Sequence, residues 1–253
     1  MRQIKILNIL PNIDLEDSSE GLRDRAKLRD KLLEDTNGLV LLDSKSVDKG
    51  NESIECFYDS AMVAPYVIQI AKKAELRGYD AVLLDCFMDP ALGECRELLT
   101  IPCFGPCLSA CSLASRMGGE FSIIGILSDM DRCIKENLRK YALRDQLMSI
   151  RIVDLPVLEL CSDMENTIGK LIDEGERCVR EDKAKVLVFG CTGLSPFVNA
   201  VKDGLAMRGI DVPVIEPMRA ALYDAVSCVL QGITHSKVAY CQVRQKKRIL
   251  DWE

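Results

Sequence analysis

Cys86 and Cys191 are the residues whose type and position point most directly to chemistry. Each ends an apolar run, Tyr79-Asp-Ala-Val-Leu-Leu-Asp-Cys86 in one case and Ala184-Lys-Val-Leu-Val-Phe-Gly-Cys191 in the other. A polar turn with a proline follows, at Pro90 and Pro196, and then a helical pattern. Runs this short and β-branched read as buried parallel strands, so each thiol is expected at the carboxyl end of a strand, the edge where open α/β sheets bind ligands. A helix amino terminus just beyond favours negative charge and is expected to lower the thiol pKa. Two thiols facing one carbon from opposite sides suit inversion of a stereocentre bearing an acidic hydrogen. Inversion needs a base on one face and an acid on the other, with roles exchanged in reverse, and a thiol with a reference pKa of about 8.5 serves as either.

The elements that must hold these thiols repeat along the chain. Strand-like runs occur at 4–10, 38–42, 81–85, 101–104, 121–127, 150–155, 186–189 and 212–215, with charged stretches of helical spacing at 15–35, 57–77, 129–147, 165–181 and 218–230. Such alternation predicts an α/β fold with parallel sheets and right-handed crossovers. The first half also lies on the second. Runs beginning at Ile4, Leu39, Asp85-Cys86 and Ile101 match runs beginning at Phe121, Ile150, Gly190-Cys191 and Val212, at offsets of 117, 111, 105 and 111 residues in the same order. A tandem duplication of a four-strand unit is the simplest account, and it relates the halves by a pseudo-twofold axis that sets the two cysteines across one cleft.

Composition narrows the setting. The 253 residues carry 39 acidic and 33 basic side chains, a net charge of −6, and no basic stripe interleaved with aromatics, so nucleic acid is not an expected partner. No apolar run reaches the ~20 residues of a membrane span, and Met1-Arg-Gln-Ile-Lys leads straight into a strand. The twelve cysteines are irregularly spaced and several lie inside apolar runs. They read as reduced thiols, most of them small buried hydrophobes, in a soluble, unprocessed cytoplasmic protein.

Several segments resemble those of hydantoin racemases. Cys86-Phe87-Met88-Asp89-Pro90-Ala91-Leu92 resembles their Cys-Phe-Gly-Asp-Pro-Gly-Leu, and Gly190-Cys191-Thr192-Gly193 their Gly-Cys-Ala-Gly. Leu10-Pro11-Asn12 is similar to an amino-terminal Asn-Pro-Asn, Ser53-Ile54-Glu55-Cys56 to Ser-Ile-Glu-Ser, Phe121-Ser122-Ile123-Ile124 to Phe-Ser-Val-Val, and Pro213-Val214-Ile215-Glu216 to Pro-Val-Ile-Asp. On these motifs, spread over residues 4–230, the chain is identified as a member of the aspartate/glutamate/hydantoin racemase superfamily. The resemblance implies two pseudosymmetric α/β domains with the active site in the cleft between them. The last strand of each unit would cross to the other domain, giving residues 1–100 plus 210–253 and residues 101–209. It implies catalysis by Cys86 and Cys191 on a small-molecule substrate without cofactor or metal, and a homo-oligomer is the expected assembly. Asn12, Phe87, Met88, Gly125 at the end of the Phe121 strand, Thr192 and Gly193 would line the pocket. Met88, Gly125 and Leu108 depart from the family's usual Gly or Ser, Thr and Glu, so the substrate, whether a 5-substituted hydantoin, allantoin or an amino acid, stays open. A cis–trans isomerase or decarboxylase of the same fold, and a non-catalytic ligand-binding protein, are the alternatives.

Other residues carry blander expectations. Cys103, Cys107 and Cys111 have metal-ligand types but lack a fourth ligand at standard spacing, and a helix packed by the small residues Cys107, Ser109, Ala110, Cys111 and Ala114 fits better. His235 is expected at the surface, Asp89 as the cap of the helix opened by Pro90, and Asp85 as an orienter of its loop. The basic run from Arg244 to Arg248 reads as a solvated tail, with Ile249, Leu250 and Trp252 able to dock on a neighbouring subunit.

Overall fold

The computed structural model describes residues 2–13, 19–244 and 246–247, and of residues 19–24 only the backbone course. The tail residues Arg248, Ile249, Leu250 and Trp252 lie outside the described residues, as does the expected helix start at residue 15. The first half runs β1 (Ile4–Ile13), α1 (Ser19–Asp35), β2 (Val40–Val47), α2 (Phe57–Leu76), β3 (Ala81–Leu84), α3 (Leu92–Leu98), β4 (Cys103–Phe104) and α4 (Pro106–Gly118). The second runs β5 (Phe121–Gly125), α5 (Asp129–Lys140), β6 (Leu147–Ile152), α6 (Met164–Arg180), β7 (Val186–Phe189), α7 (Val198–Met207), β8 (Val214–Ile215) and α8 (Pro217–Gln231).

Two parallel four-stranded sheets result, in the orders β2-β1-β3-β4 and β6-β5-β7-β8. The α/β class is therefore as expected, and the halves share one topology. The central strands β3 and β7 are buried at every position because helices cover both faces of each sheet, which is why they read as continuous apolar runs. Flanking helices show the complementary stripe. α5 buries Met130, Cys133, Ile134 and Leu138, and α6 buries Thr167, Leu171, Gly175 and Cys178, one face each at helical spacing.

Strand register corrects the duplication in detail. Cys86 and Cys191 place Ala81 opposite Val186 in the repeat. Ile6 stands beside Ala81 and Phe121 beside Val186, so β1 and β5 are offset by 115 residues rather than 117. By the same route Lys45 pairs with Ile9 as Arg151 pairs with Ile124, an offset of 106 for β2 and β6 rather than 111. Apolar runs look alike under small slips, and only the ladder of hydrogen bonds distinguishes them. The helix expected over 129–147 stops at Lys140, because Ala142 adopts a left-handed φ of 58° and turns the chain into β6.

The expected crossing of strands does not occur. β4 pairs with β3 and β8 with β7, each inside its own half, and the following helix crosses instead. α4 packs on β5, β7 and β8, whereas α8 packs on β1, β3 and β4, and the two exchanged helices pack on each other. Gly118 allows α4 its close approach, since a Cβ there would stand 2.7 Å from Val186 Cγ2. One apolar core runs through both halves, and a smaller one lies between β1 to β4, α1 and α8.

Cys107 and Cys111, one turn apart on α4, are buried beside Ala110 and Ala114, as expected of a helix packed by small residues. His235 departs from its expected surface position. Its Nε2 lies within hydrogen-bond reach of both the N–H and the C=O of Cys103, its ring rests 5.3 Å from Phe104, and burial lowers its pKa to about 4. The segment after α8 is thus fastened to β4, with Arg96 donating to the Tyr240 hydroxyl and Lys237 to the carbonyl of Leu99.

Candidate active site

The two thiols stand just past the ends of β3 and β7, held by matching local turns. The Met88 N–H points at Cys86 Sγ (3.4 Å) and the Gly193 N–H at Cys191 Sγ (3.3 Å), so each sulfur accepts from the backbone two residues ahead. Beyond Cys86 the chain bends sharply, with Asp89 and Ala91 at φ of 49° and 61°. Asp89 is indeed a cap, though not of the helix that follows Pro90. Its carboxylate accepts from the N–H groups of Cys107 and Leu108, both at 3.0 Å, and from the Tyr141 hydroxyl at 2.8 Å, so it caps α4. Glu216 does the same for α8, accepting from Met218 N–H and Arg219 N–H. The Cys86 loop is therefore pinned to one exchanged helix. Gly105 makes room for this, because a Cβ there would fall 2.4 Å from Asp89 Cγ. Gly105→Ala is expected to lower stability by about 1–3 kcal/mol, the usual cost of overpacking, with a lower urea midpoint. An unchanged midpoint would show that the Asp89 cap can shift at no cost.

A cavity of about 420 Å³ opens over both sulfurs. Cys86, Cys191, Asn12, Phe87, Thr192 and Gly193 line it, together with Leu10, Ile13, Ile54, Met130, Val157, Leu158 and Leu160 as a largely apolar wall. Two expected lining residues are elsewhere. Met88 is buried and contributes its backbone, with its carbonyl accepting from Asn137 Nδ2. Gly125 is a packing position: a Cβ on the neighbouring Gly190 would lie 3.0 Å from Gly125 Cα, and one on Gly125 would lie 2.9 Å from Ile152 Cδ1. Both glycines let β7 deliver Cys191 close against β5.

Comparison with known proteins bears on what such a cavity does. The family described as Asp/Glu/Hydantoin racemase matches residues 25–225. The chain belongs to the Asp/Glu/hydantoin racemase family. Hydantoin racemase of Pseudomonas sp. (strain NS671) is 31% identical over 97% of this chain and 93% of its own, and that of Rhizobium meliloti is 32% identical over 74% and 75%. Among solved structures, allantoin racemase from Klebsiella pneumoniae shares the fold with a TM-score of 0.83, covering 98% of this chain and 97% of its own at 24% identity. By this membership the protein is an isomerase of the racemase kind.

Beyond the expected lining residues, this racemase's cavity holds an ion pair, two rims and a further thiol. Arg25 and Asp85 form a buried ion pair, with Arg25 Nη2 2.8 Å from Asp85 Oδ1 and Nε bonded to Oδ2. Asn8 Nδ2 donates to the same carboxylate at 2.8 Å. Glu52, Ser53 and Ile54 form one rim, Val157 to Leu160 another, and Glu55 joins them by accepting from the Val157 N–H. Cys161 is a third lining thiol. The motif at Ser53 to Cys56 could have signalled its rim; Arg25, one cation in a densely charged helix, could not.

The expected lowering of the thiol pKa values does not hold. Burial pushes the Cys86 thiol well above its ordinary value; the Met88 N–H opposes this, and the charges of Cys191, Asp89 and Asp85 add to it. Burial likewise pushes Cys191 up, to about 11, opposed by the Gly193 N–H and by Arg25, with Asp85 and Glu55 adding to the rise. Desolvation outweighs the helix termini because α3 starts only at Leu92 and the turn after Cys191 is a short 3₁₀ segment, Thr192–Phe197.

Proposed function

We propose that this racemase inverts the stereocentre of a neutral cyclic amide of the 5-substituted hydantoin type, using Cys86 and Cys191 as the proton donor and acceptor on opposite faces, with no cofactor. The observation that carries this reading is one cavity lined by two thiols at the ends of equivalent strands. The carbon between a ring carbonyl and a ring nitrogen bears a weakly acidic hydrogen. One thiolate removes it, the electron pair stays on the ring as an enolate, and the opposite thiol returns a proton to the other face. A buried thiol is a stronger base once ionised, which narrows the gap to a weak carbon acid.

The wall favours a neutral substrate with an apolar substituent. Among the described lining residues Arg25 is the only cation, and it is committed to Asp85, so an amino acid's carboxylate would find no free positive partner there. Leu10, Ile13, Ile54, Met130 and Leu158 offer an apolar surface, while Asn12 and Thr192 supply polar groups for ring amides. The curated hydantoin racemases to which the chain is similar point to the same class.

The test is a panel of separate D and L forms of hydantoins with alkyl or aryl groups at carbon 5, allantoin, and free amino acids, followed by loss of circular dichroism. Racemisation of apolar hydantoins well ahead of allantoin and amino acids is the expected result. Turnover of amino acids alone would overturn the substrate class, and decarboxylation or double-bond isomerisation without loss of optical activity would overturn the reaction.

A further inference from the structure

The duplication is broken at a buried position beside the two cysteine loops. Where the second half has Gly190 before its cysteine, the first has Asp85, and Asp85 holds Arg25 from α1. Arg25 Nη2 also donates to the carbonyl of Thr192 at 3.2 Å, and Thr192 Oγ1 donates to the Asp85 carbonyl at 3.4 Å. One guanidinium from the first half therefore bonds the residue preceding Cys86 and the residue following Cys191. No equivalent bridge can arise from the other side, because Gly190 has no side chain to hold one.

The surroundings of the two thiols differ accordingly. Cys86 faces the carboxylates of Asp85 and Asp89 and the sulfur of Cys191. Cys191 faces the Arg25 guanidinium, with Asp85 and Glu55 acting against it. Arg25 in turn faces Asp85, Glu216 and Cys191. Negative charge on sulfur is opposed from more sides at Cys86 than at Cys191.

We propose that Arg25 is a positioning residue of the reaction: it ties the two cysteine loops together and makes Cys191 the sulfur that takes the first proton when substrate enters the free protein. This rests on the two-thiol reading above. In the first half-turnover the Cys191 thiolate takes the proton from carbon, the enolate forms, and the Cys86 thiol gives its proton to the opposite face. Cys191 is left as thiol and Cys86 as thiolate. Loss of a proton from Cys191 to water and gain of one by Cys86 restores the start. Enantiomers have equal free energies, so kcat/KM must be equal in the two directions; the asymmetry shows in which free sulfur reacts.

Iodoacetamide labelling of the native, unliganded protein, with each cysteine followed by peptide mass spectrometry across pH, tests this. Accessibility scales a labelling rate at every pH but does not move its midpoint, which reports the thiolate. In the wild type the Cys191 midpoint should fall below that of Cys86. Arg25→Met should raise the Cys191 midpoint by about one pH unit, an approximately tenfold slower labelling at a fixed pH below it, and Arg25→Lys should recover part of this. Glu55→Gln, which keeps an acceptor for the Val157 N–H, should move the Cys191 midpoint down, a direction that loosened packing at Arg25 does not mimic. A lower midpoint at Cys86 in the wild type, or a Cys191 midpoint indifferent to Arg25→Met and Glu55→Gln, would overturn the inference. The two-thiol reading fails on a separate measurement, normal inversion by a Cys86→Ser or Cys191→Ser variant.

Discussion

Cys86→Ser and Cys191→Ser should each slow racemisation by about 10²- to 10⁴-fold, the range that a positioned general acid or base contributes. A serine hydroxyl is close to a thiol in size but a far weaker acid, so the cavity keeps its shape and loses one proton carrier. Both residues line the cavity and are slightly exposed, 8% for Cys86 and 7% for Cys191, so the replacements are expected to leave folding intact. A second readout separates lost chemistry from lost structure. In deuterium oxide each variant should still exchange the substrate hydrogen of one enantiomer, because the remaining thiol can remove and return a proton on its own face. The two variants should favour opposite enantiomers. Inversion within tenfold of the wild type in either variant would end the two-thiol mechanism.

Asp85→Ala carries the largest expected effect on stability. It strands the Arg25 guanidinium in the interior, and breaking a buried pair from one side costs about 3–5 kcal/mol, a large part of the ~5–15 kcal/mol that holds a domain together. The cost arises from the unpaired charge, since the pair itself adds little over well-packed apolar groups. The double change Asp85→Leu with Arg25→Met should therefore regain most of the loss, even though Asn8 forfeits its partner on Asp85. Urea unfolding of the single and double variants measures both quantities. A loss under about 1 kcal/mol for the single change would mean that water reaches Arg25 and that the bridge between the cysteine loops is a solvated contact.

Much of the architecture was legible because it depends on local periodicity. The apolar runs ending at Leu84 and Phe189 announce strands buried on both faces, and the stripes on α5 and α6 announce helices covering them. The two cysteines could be singled out from twelve because they end such runs. Less legible were features set by alignment between strands: the offsets of β1 and β2 slipped, and the element that crosses between halves is the helix after β4 and after β8, since strand pairing and helix packing are decided separately. Gly125 reads as a pocket residue by motif and proves to be a clearance for Gly190, a relation between neighbouring strands that no single run contains.

What the sequence determined by itself is the order of strands and helices, the duplication, and the placing of Cys86 and Cys191 at strand ends, all of which follow from short-range patterns of burial. Only the tertiary structure decided which loops roof the cavity, that Arg25 reaches from α1 to both cysteine loops, and that the thiols are harder to ionise than their free counterparts. The physical reason is that an ion pair's partner and a thiol's desolvation are set by every group packed around them, from segments more than a hundred residues apart along the chain, such as Arg25 and Thr192.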